Sequence, residues 1–341
     1  MSLALVPTAP WPSPPAATAP PAERFAWYAA VARWAPSKHN TQPWRFVVRP
    51  DALELWTDPQ RMLPESDPHR RELIISCGIA LKLVDVAAHA QGYEVATTLL
   101  PDGGGGFLAR VREVGPRDVS EQDRRLLALV PRRRTDRGPL DAEAMPVSAP
   151  FLLQSAAAAE GATLRLVASP GDRATLASLV ERADRLLVQR GAVDRELADW
   201  LREPGDRRRD GVPTDHTRGA AASYRAQFVQ RDFSSSASRP AQDRQAPDRP
   251  VLAVLCTATD KQVDWLVAGR ALGAVLLCTS DVGAAASYLN QPVEEAAIRS
   301  QLRTALNLAG EAQVVLRLGV GGDVPPTARR EPEDITFRVR G

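Results

Sequence analysis

Apolar and polar positions in the first half of the chain follow helical spacing and strand-like runs in turn. A helix is predicted over residues 23–34, with Phe25 and Tyr28 on one side. The clearest helix is "RRELIISCGIALKLVDVAAHAQG", whose apolar residues form a broad stripe that stops near Gly92. The other predicted elements are the strands "RFVVRP", "ALELWTD", "YEVATTLL" and "GFLARVREV" and a short helix at about 119–130.

The second half shows a similar order of elements without a residue-level repeat. Its run "QVDWLVAGRALGAVLLCTSDVG" is apolar on most sides, which indicates a helix buried inside the protein. The other predicted elements are the strands "ATLRLVA", "RPVLAVLCTATD" and "AQVVLRLGVG" and the helices "DRATLASLVERADRLLVQ" and "PVEEAAIRSQLRTALNL", the last with Pro292 at its first position. The pattern therefore predicts an α+β layered fold with two related halves, at residues 23–130 and 131–341.

Two segments are predicted to lack regular structure. Residues 1–22 are rich in Pro and Ala and are expected to form a disordered arm. The arm has no basic start and no long apolar core, so it is not typical of a signal peptide. Residues 234–250 are of low complexity, and the wider segment 205–250 is predicted to be a flexible loop or lid.

Composition and charge exclude some function classes. The chain has 341 residues, 44% of them apolar and 25% charged, with a net charge of +2. These values are ordinary for a globular protein and favour neither a nucleic-acid nor a membrane partner. Because the basic residues are almost all arginine, an arginine cluster is weaker evidence of function here than in most proteins.

Cysteine and histidine usage points to neither disulfides nor a metal site. The three cysteines lie singly in apolar segments and form no CxxC pair, which predicts buried thiols in a reducing cytoplasm. The four histidines have no spacing typical of metal ligands. We therefore expect a cytoplasmic protein without a bound metal.

The run "RRRTDRGPL" is the first candidate binding motif. In an extended segment, the i, i+2, i+4 spacing places Arg133, Thr135 and Arg137 on one face, where they can hold a phosphate or carboxylate. The alternative is a solvated run of arginines. In the tail "PPTARREPEDI", Arg329 and Arg330 can add charge to the same anion, or can simply be solvated.

Two further segments can face a flat, polar ligand. In "WAPSKHNTQPWRF", Ser37, Lys38 and Asn40 can hydrogen-bond to a polar ring edge, and Pro36 restricts the backbone; the alternative is a helix stop followed by a polar turn. In "VGAAASYLNQPVE", small residues allow the backbone to approach a ligand; the alternative is a tight connection between helices.

The stretch "APSKHNTQPWRFVV" is similar to the signature of the nitroreductase-like flavoproteins. The whole chain most resembles the Acg family of actinobacterial FMN-binding proteins, from about residue 23 to residue 337. The runs that carry this resemblance, in the family's order, are "RRELIISCGIAL", "RRRTDRGPL", "GRALGAVLLC", "SYLNQPVE", "LRLGVG" and "PPTARREPED".

The resemblance implies a nitroreductase-like fold in which the two halves form a fused pseudo-dimer with one complete FMN site. It implies FMN contacts from the loop and from the phosphate motif, which has Thr135 where the family has serine. It also puts Asn290 and Gln291 beside flavin N5, and adds Arg329 and Arg330 to the phosphate. The implied cofactor-binding residues are Pro36, Ser37, Lys38, Asn40, Arg133, Thr135, Arg137, Asn290, Gln291, Arg329 and Arg330.

The implied function is an FMN-dependent oxidoreductase that uses NAD(P)H and a small organic substrate, with the chemistry at flavin N5. The alternatives are an FMN-sequestering protein with little turnover and a flavin-dependent dehydrogenase in a biosynthetic pathway. No GxGxxG follows a strand, so a tightly held NAD of the Rossmann type is not expected. The resemblance implies a monomer, with further pairing left open. Residues 205–215 are expected to supply arginines to the pyrimidine end of the flavin or to act as a lid.

Overall fold

The structure is a computed structural model that describes residues 10–16, 18–214 and 248–339. Within them the helices are α1 (Pro21–Ala32), α2 (Arg71–Ala90), α3 (Glu121–Leu129), α4 (Ala149–Ala158), α5 (Pro170–Gln189), α6 (Gly191–Asp199), α7 (Gln262–Asp281), α8 (Gln291–Glu294), α9 (Ala296–Ala305) and α10 (Pro332–Ile335). The strands are β1 (Trp44–Val48), β2 (Leu53–Thr57), β3 (Tyr93–Leu99), β4 (Phe107–Pro116), β5 (Thr163–Val167), β6 (Leu201–Arg202), β7 (Val212–Pro213), β8 (Val251–Thr257), β9 (Ala285–Tyr288), β10 (Glu311–Gly319) and β11 (Thr336–Arg338).

The strands form two main sheets, one for each half of the chain. The first has the order β11-β1-β2-β4-β3 and the second the order β5-β8-β10-β9. β11 comes from the C-terminal tail yet pairs in parallel with β1, with Phe46 opposite Thr336. The tail therefore crosses from the second half and completes the edge of the first sheet.

The central helices α2 and α7 pack against each other through two glycines. A Cβ atom at Gly78 would lie 2.5 Å from the Leu266 carbonyl oxygen, and one at Gly269 would lie 2.1 Å from the Ile75 carbonyl oxygen. Only glycine permits so close an approach of two helix backbones. Both helices are long and apolar enough to span a membrane by length and composition, but their apolar residues lie in the protein core, as expected for buried helices.

Several predicted elements are confirmed, and one predicted helix is divided in two. The long predicted helices are confirmed as α2, α5 and α7, and the short one is α3, which begins after a Ser120 capping box. The helix predicted from Pro292 is instead two helices, α8 and α9. Glu295 is extended between them (φ −101°, ψ 109°), and its carboxylate accepts a hydrogen bond from Arg190.

The described part of the predicted arm, residues 10–16 and 18–22, contacts the rest of the protein. The ring of Trp11 packs 5.7 Å from that of Trp34, the indole of Trp27 donates to the Pro12 carbonyl at 3.1 Å, and α1 already begins at Pro21. Prolines restrict the unfolded backbone, so ordering such a segment costs less than its composition suggests. The rest of the arm, and the predicted loop from residue 215 to 247, lie outside the described residues.

Candidate functional site

A cleft of two joined chambers lies where the two halves meet. The larger chamber, about 150 Å³, is bounded by the loop at Pro36–His39, by α2 and by the β9–α8 connection. The smaller, about 50 Å³, is the arginine chamber, named for Arg133, Arg134, Arg137 and Arg329. Both chambers are lined by Pro36, Ser37, Thr135 and Arg137, so they adjoin each other.

The loop before β1 is held in an uncommon backbone conformation. His39, Asn40 and Gln42 all have positive φ angles, of 50°, 53° and 51°. Side-chain-bearing residues rarely occupy this region, and the strain persists only where surrounding contacts impose it. One such contact is the hydrogen bond from the Gln42 backbone N–H to Ser37 Oγ, at 2.8 Å.

The amides of this loop attach it to two distant segments. Asn40 Nδ2 donates to the carbonyls of Gly211 at 3.0 Å and Ala328 at 3.2 Å. Gln42 Nε2 donates to the Arg209 carbonyl at 2.8 Å, and its Oε1 accepts from the Arg330 backbone N–H at 2.8 Å. The two amides therefore hold the cleft wall together.

Lys38 is committed to protein groups. Its ammonium donates to the Ser66 carbonyl at 2.8 Å and pairs with the carboxylates of Glu72 and, at 3.3 Å, Glu294. An ammonium has three N–H donors, and these contacts use all three. The side chain therefore fastens the loop to α2 and α8, and its predicted contact with a ligand stays a prediction.

The arginine chamber carries positive charge without a matching carboxylate. Arg133 is buried, and its Nη1 has no hydrogen-bond partner in the described part of the chain. Of residues 10–16, 18–214 and 248–339, no aspartate or glutamate lines this chamber. Burial, and then the charges of Arg133, Arg134 and Arg33, lowers the pKa of Arg329 to about 9. An anion in the chamber would relieve this repulsion and satisfy the unpartnered donor.

Backbone pairing holds the arginine run in place. Thr135 forms an isolated parallel bridge with Ala286, and the Asp136 backbone N–H donates to the Ala286 carbonyl at 3.0 Å. The Asp136 carboxylate accepts from the backbone N–H groups of Gly138 and Gly322, both at 2.8 Å. Its side chain is thereby occupied outside the chamber, while Thr135 and its neighbours line the cleft.

Two relatives from Mycobacterium tuberculosis match this chain over most of its length. The protein named "Putative NAD(P)H nitroreductase Rv3131" of Mycobacterium tuberculosis (strain H37Rv) is 34% identical over 318 residues, which are 92% of this chain and 90% of that protein. "Putative NAD(P)H nitroreductase acg" of the same strain is 27% identical over 310 residues, 90% of this chain and 92% of that protein. The chain belongs to this nitroreductase family. The predicted resemblance to the Acg proteins is thus confirmed.

Two other comparisons add little to this assignment. No protein-family model matches the chain. A crystal structure of a nitroreductase with bound FMN from Bacteroides fragilis is 14% identical, covers 60% of this chain and 94% of its own, and has a TM-score of 0.33. A likeness at that score carries no argument. The α+β class of this nitroreductase-family chain follows from its own strands and helices, and the fused pseudo-dimer stays a prediction.

The structure brings all but one of the predicted site residues of this nitroreductase-family chain to the cleft. Pro36, Ser37, Lys38, Thr135, Arg137, Asn290 and Gln291 line the larger chamber, and Asn40, Arg133 and Arg329 line the arginine chamber. Arg330 lines neither. Its guanidinium pairs with buried Asp58 at 3.2 Å and donates to the Asp334 carbonyl at 2.8 Å, and its place at the phosphate stays a prediction.

The predicted N5-side residues use their side-chain amides within the protein. Asn290 Nδ2 donates to Glu72 at 2.9 Å, and its Oδ1 accepts from the Val315 backbone N–H at 3.1 Å. Gln291 is buried and donates to Asp184 at 3.4 Å. A ligand in the larger chamber would therefore meet their backbone more readily than their amides.

Sequence reasoning missed several residues that line the cleft. Tyr288 lies in the larger chamber; burial raises the pKa of its hydroxyl, and the charges of Arg133 and Arg137 oppose the rise. Glu72 and Glu294 line the same chamber, although single glutamates at helical positions carry no recognisable signal. Arg134 also lines the arginine chamber, which strict alternation along an extended segment does not predict.

The described part of the predicted lid contributes to the wall of the arginine chamber. Gly211, Val212 and Pro213 form part of its wall. The arginines before them face elsewhere: Arg208 pairs with Asp206 and Arg209 with Glu331. The expectation that this segment brings arginines to the flavin stays a prediction, as does a lid at residues 215–247.

Proposed function

We propose that this chain is an FMN-dependent oxidoreductase that uses NAD(P)H to reduce small organic molecules. The observation that carries the proposal is the arginine chamber joined to a larger, partly apolar chamber. Such a site suits a molecule with a phosphate at one end and a planar ring at the other. The names of the relatives support NAD(P)H as the electron donor.

The residues present fit the phosphate of FMN. Arg133 offers a buried donor without a partner, and Arg137 and Thr135 lie at the junction of the two chambers. Guanidinium groups bind phosphate oxygens through charge-assisted hydrogen bonds, which are stronger than neutral ones. These residues would hold the cofactor and fix its position along the cleft.

The larger chamber fits a ring. Ile75, Ile79, Leu272 and Val314 give it apolar walls, and the loop at Pro36 and Ser37 closes one side. Such walls would exclude water and orient a planar group. When bound, FMN supplies hydride acceptance from NAD(P)H and hydride donation to a substrate. The protein's own part would be to bind the cofactor, orient it and set the charge around it.

The proposal extends to the cellular compartment and to the oligomeric state. The three cysteines are free thiols, which suits the cytoplasm. Both halves of the chain contribute to the one cleft, so a single chain can form a complete site, as a fused pseudo-dimer would. We therefore propose a cytoplasmic enzyme that acts as a monomer on a small-molecule substrate.

Arg133→Gln tests the phosphate assignment. We expect it to weaken FMN binding roughly 10- to 100-fold, since a hydrogen bond to a charged group contributes about 1.5–3 kcal/mol. The measurement is a titration of apoprotein with FMN and, separately, with riboflavin, which has no phosphate. Riboflavin affinity should be the same in both proteins.

Arg182→Gln is the matched control, because Arg182 is exposed on α5 and the substitution makes the same change in net charge. It should leave both affinities unchanged. Equal FMN affinity of the wild type and Arg133→Gln would contradict the phosphate assignment.

A further inference from the structure

Two carboxylates pair with Lys38 in the wall of the cleft. The side chains of Lys38, Glu72 and Glu294 are only 8%, 8% and 4% exposed, and all three residues line the larger chamber. Glu72 also accepts from Asn290 at 2.9 Å, so it joins the loop wall to the opposite wall at the β9–α8 connection. These three residues, Lys38, Glu72 and Glu294, are called the Lys38 group. A ligand that fills the larger chamber would lie close to them.

The Lys38 group brings no positive charge to the cleft. One ammonium faces two carboxylates, so the formal charges of the three side chains sum to −1. Two charged groups stand behind them: buried Arg71, 3.9 Å from Glu72, and buried Asp67. Burial, and then the charge of Glu72, raises the pKa of Asp67 to about 7. Even with Arg71 counted, the surroundings of Lys38 are neutral or negative.

The position of these charges matters for hydride chemistry. Hydride transfer from NAD(P)H delivers two electrons and one proton, so the cleft gains one negative charge unless a second proton follows from solvent. A positive neighbour would favour that added charge, and a carboxylate opposes it. The side chains of the Lys38 group are buried, so water and salt screen their charges only weakly.

We propose that Glu72 and Glu294 neutralise Lys38 in the cleft wall and thereby hold the reduction potential of the bound flavin lower than an unpaired lysine would. The inference rests on the proposed function, and it assigns roles to two residues that the phosphate site does not involve. A lower potential makes the reduced cofactor a stronger hydride donor to substrate. Glu72 and Glu294 are thus positioning residues that act through Lys38 and through their own charge.

The test is the midpoint potential of the FMN-loaded protein, measured by equilibration with reference dyes under anaerobic conditions. Glu72→Gln and Glu294→Gln keep the shape of the side chain and remove its charge. Each should raise the potential by about 30 mV or more, which is a tenfold change in the equilibrium constant of a two-electron couple. A merely structural role would not move the potential in this direction in both variants.

Glu160→Gln is the matched control. The Glu160 side chain is 9% exposed and pairs with Lys82 and Arg270, but it lines neither chamber. Its substitution should leave the potential unchanged. If Glu72→Gln fails to retain FMN, the potential of Glu294→Gln is the test. The side-chain amide of Asn290 donates to Glu72, so that hydrogen bond is kept in Glu294→Gln.

Potentials that stay the same or fall in the glutamine variants would overturn the inference while leaving the proposed function standing. Equal rises in both variants and in Glu160→Gln would also overturn it, since the effect would then be non-local. A wild-type protein that binds no FMN would instead refute the proposed function, and this inference with it.

Discussion

Arg133 differs from most arginines of this chain in its surroundings. Arg24, Arg202 and Arg317 are equally buried, but each is paired with a carboxylate: Glu113, Asp210 and Asp248 respectively. Arg133 has an unpartnered buried donor and faces a chamber without acidic residues in the described part of the chain. Burying an unpaired guanidinium is costly, so such a site indicates a ligand more strongly than a count of arginines does.

Asp67 provides a prediction at the scale of one residue. Its carboxylate accepts the backbone N–H groups of Glu72, at 3.2 Å, and Leu73, at 2.8 Å, near the start of α2. Its folded-state pKa of about 7 lies above the value of about 3.9 for an unfolded chain. Between these pH values the folded state holds a proton that the unfolded state has lost. The contribution of Asp67 to stability is therefore complete below about pH 4 and disappears as the pH rises to about 7.

Asp67→Asn should remove this part of the pH dependence. The measurement is the free energy of unfolding in urea at pH 5 and pH 8. The loss of stability between the two pH values should be smaller in Asp67→Asn than in the wild type, and Asp51→Asn, at an exposed position, should behave as the wild type does. Identical losses in all three proteins would contradict the assignment.

The pair α2 and α7 is the element on which the cleft depends. Glu72, Ile75 and Ser76 on α2 and Leu272 on α7 all line the larger chamber. A shift of one helix against the other would therefore change the cleft as well as the core. The crossing is fixed by glycine at both contact points.

Gly269→Ala tests this crossing. The added methyl group would lie 2.1 Å from the Ile75 carbonyl oxygen and 2.7 Å from Gly78 Cα, so the helices would have to separate. Overpacking of this kind costs about 1–3 kcal/mol and sometimes more, and we expect about 3 kcal/mol or more in urea unfolding. Gly171→Ala on α5 is the control, because its methyl group would meet no atom within 4 Å. It should be neutral or slightly stabilising; equal effects of the two substitutions would contradict the account.

The spacing of apolar residues alone predicted the helices that are most deeply buried. α2 and α7 have apolar residues on most sides, so their sequences are clear, whereas β9 is a short run of small residues that carries no strand signal. The pairing of β11 with β1 joins Thr336 to Phe46, and no local pattern reports a partner so far along the chain. The break at Glu295 was missed because it depends on tertiary contacts and lies within a helical pattern.

At the scale of the whole molecule, the cleft belongs to both halves. The loop at Pro36 and the start of α2 come from the first half, and Arg133, Tyr288 and Arg329 come from the second. The candidate residues of the loop and of the arginine run could be predicted because they carry recognisable motifs. The pairing of Lys38 with two glutamates could not, since it depends on how α2 and α8 meet. The pairing of Arg330 with Asp58 is likewise a contact that no local pattern reports.

The central claim, an FMN-dependent NAD(P)H oxidoreductase with one site per chain, is tested most directly by anaerobic absorbance spectroscopy. The FMN-loaded protein is first assayed for flavin per chain and is then mixed with NADPH and with NADH in a stopped-flow instrument. The account predicts one FMN per chain and rapid loss of the oxidised-flavin band with at least one donor. Two FMN per chain would contradict the single shared site. A protein that takes up no FMN, or whose bound FMN stays oxidised with both donors, would contradict the proposed activity.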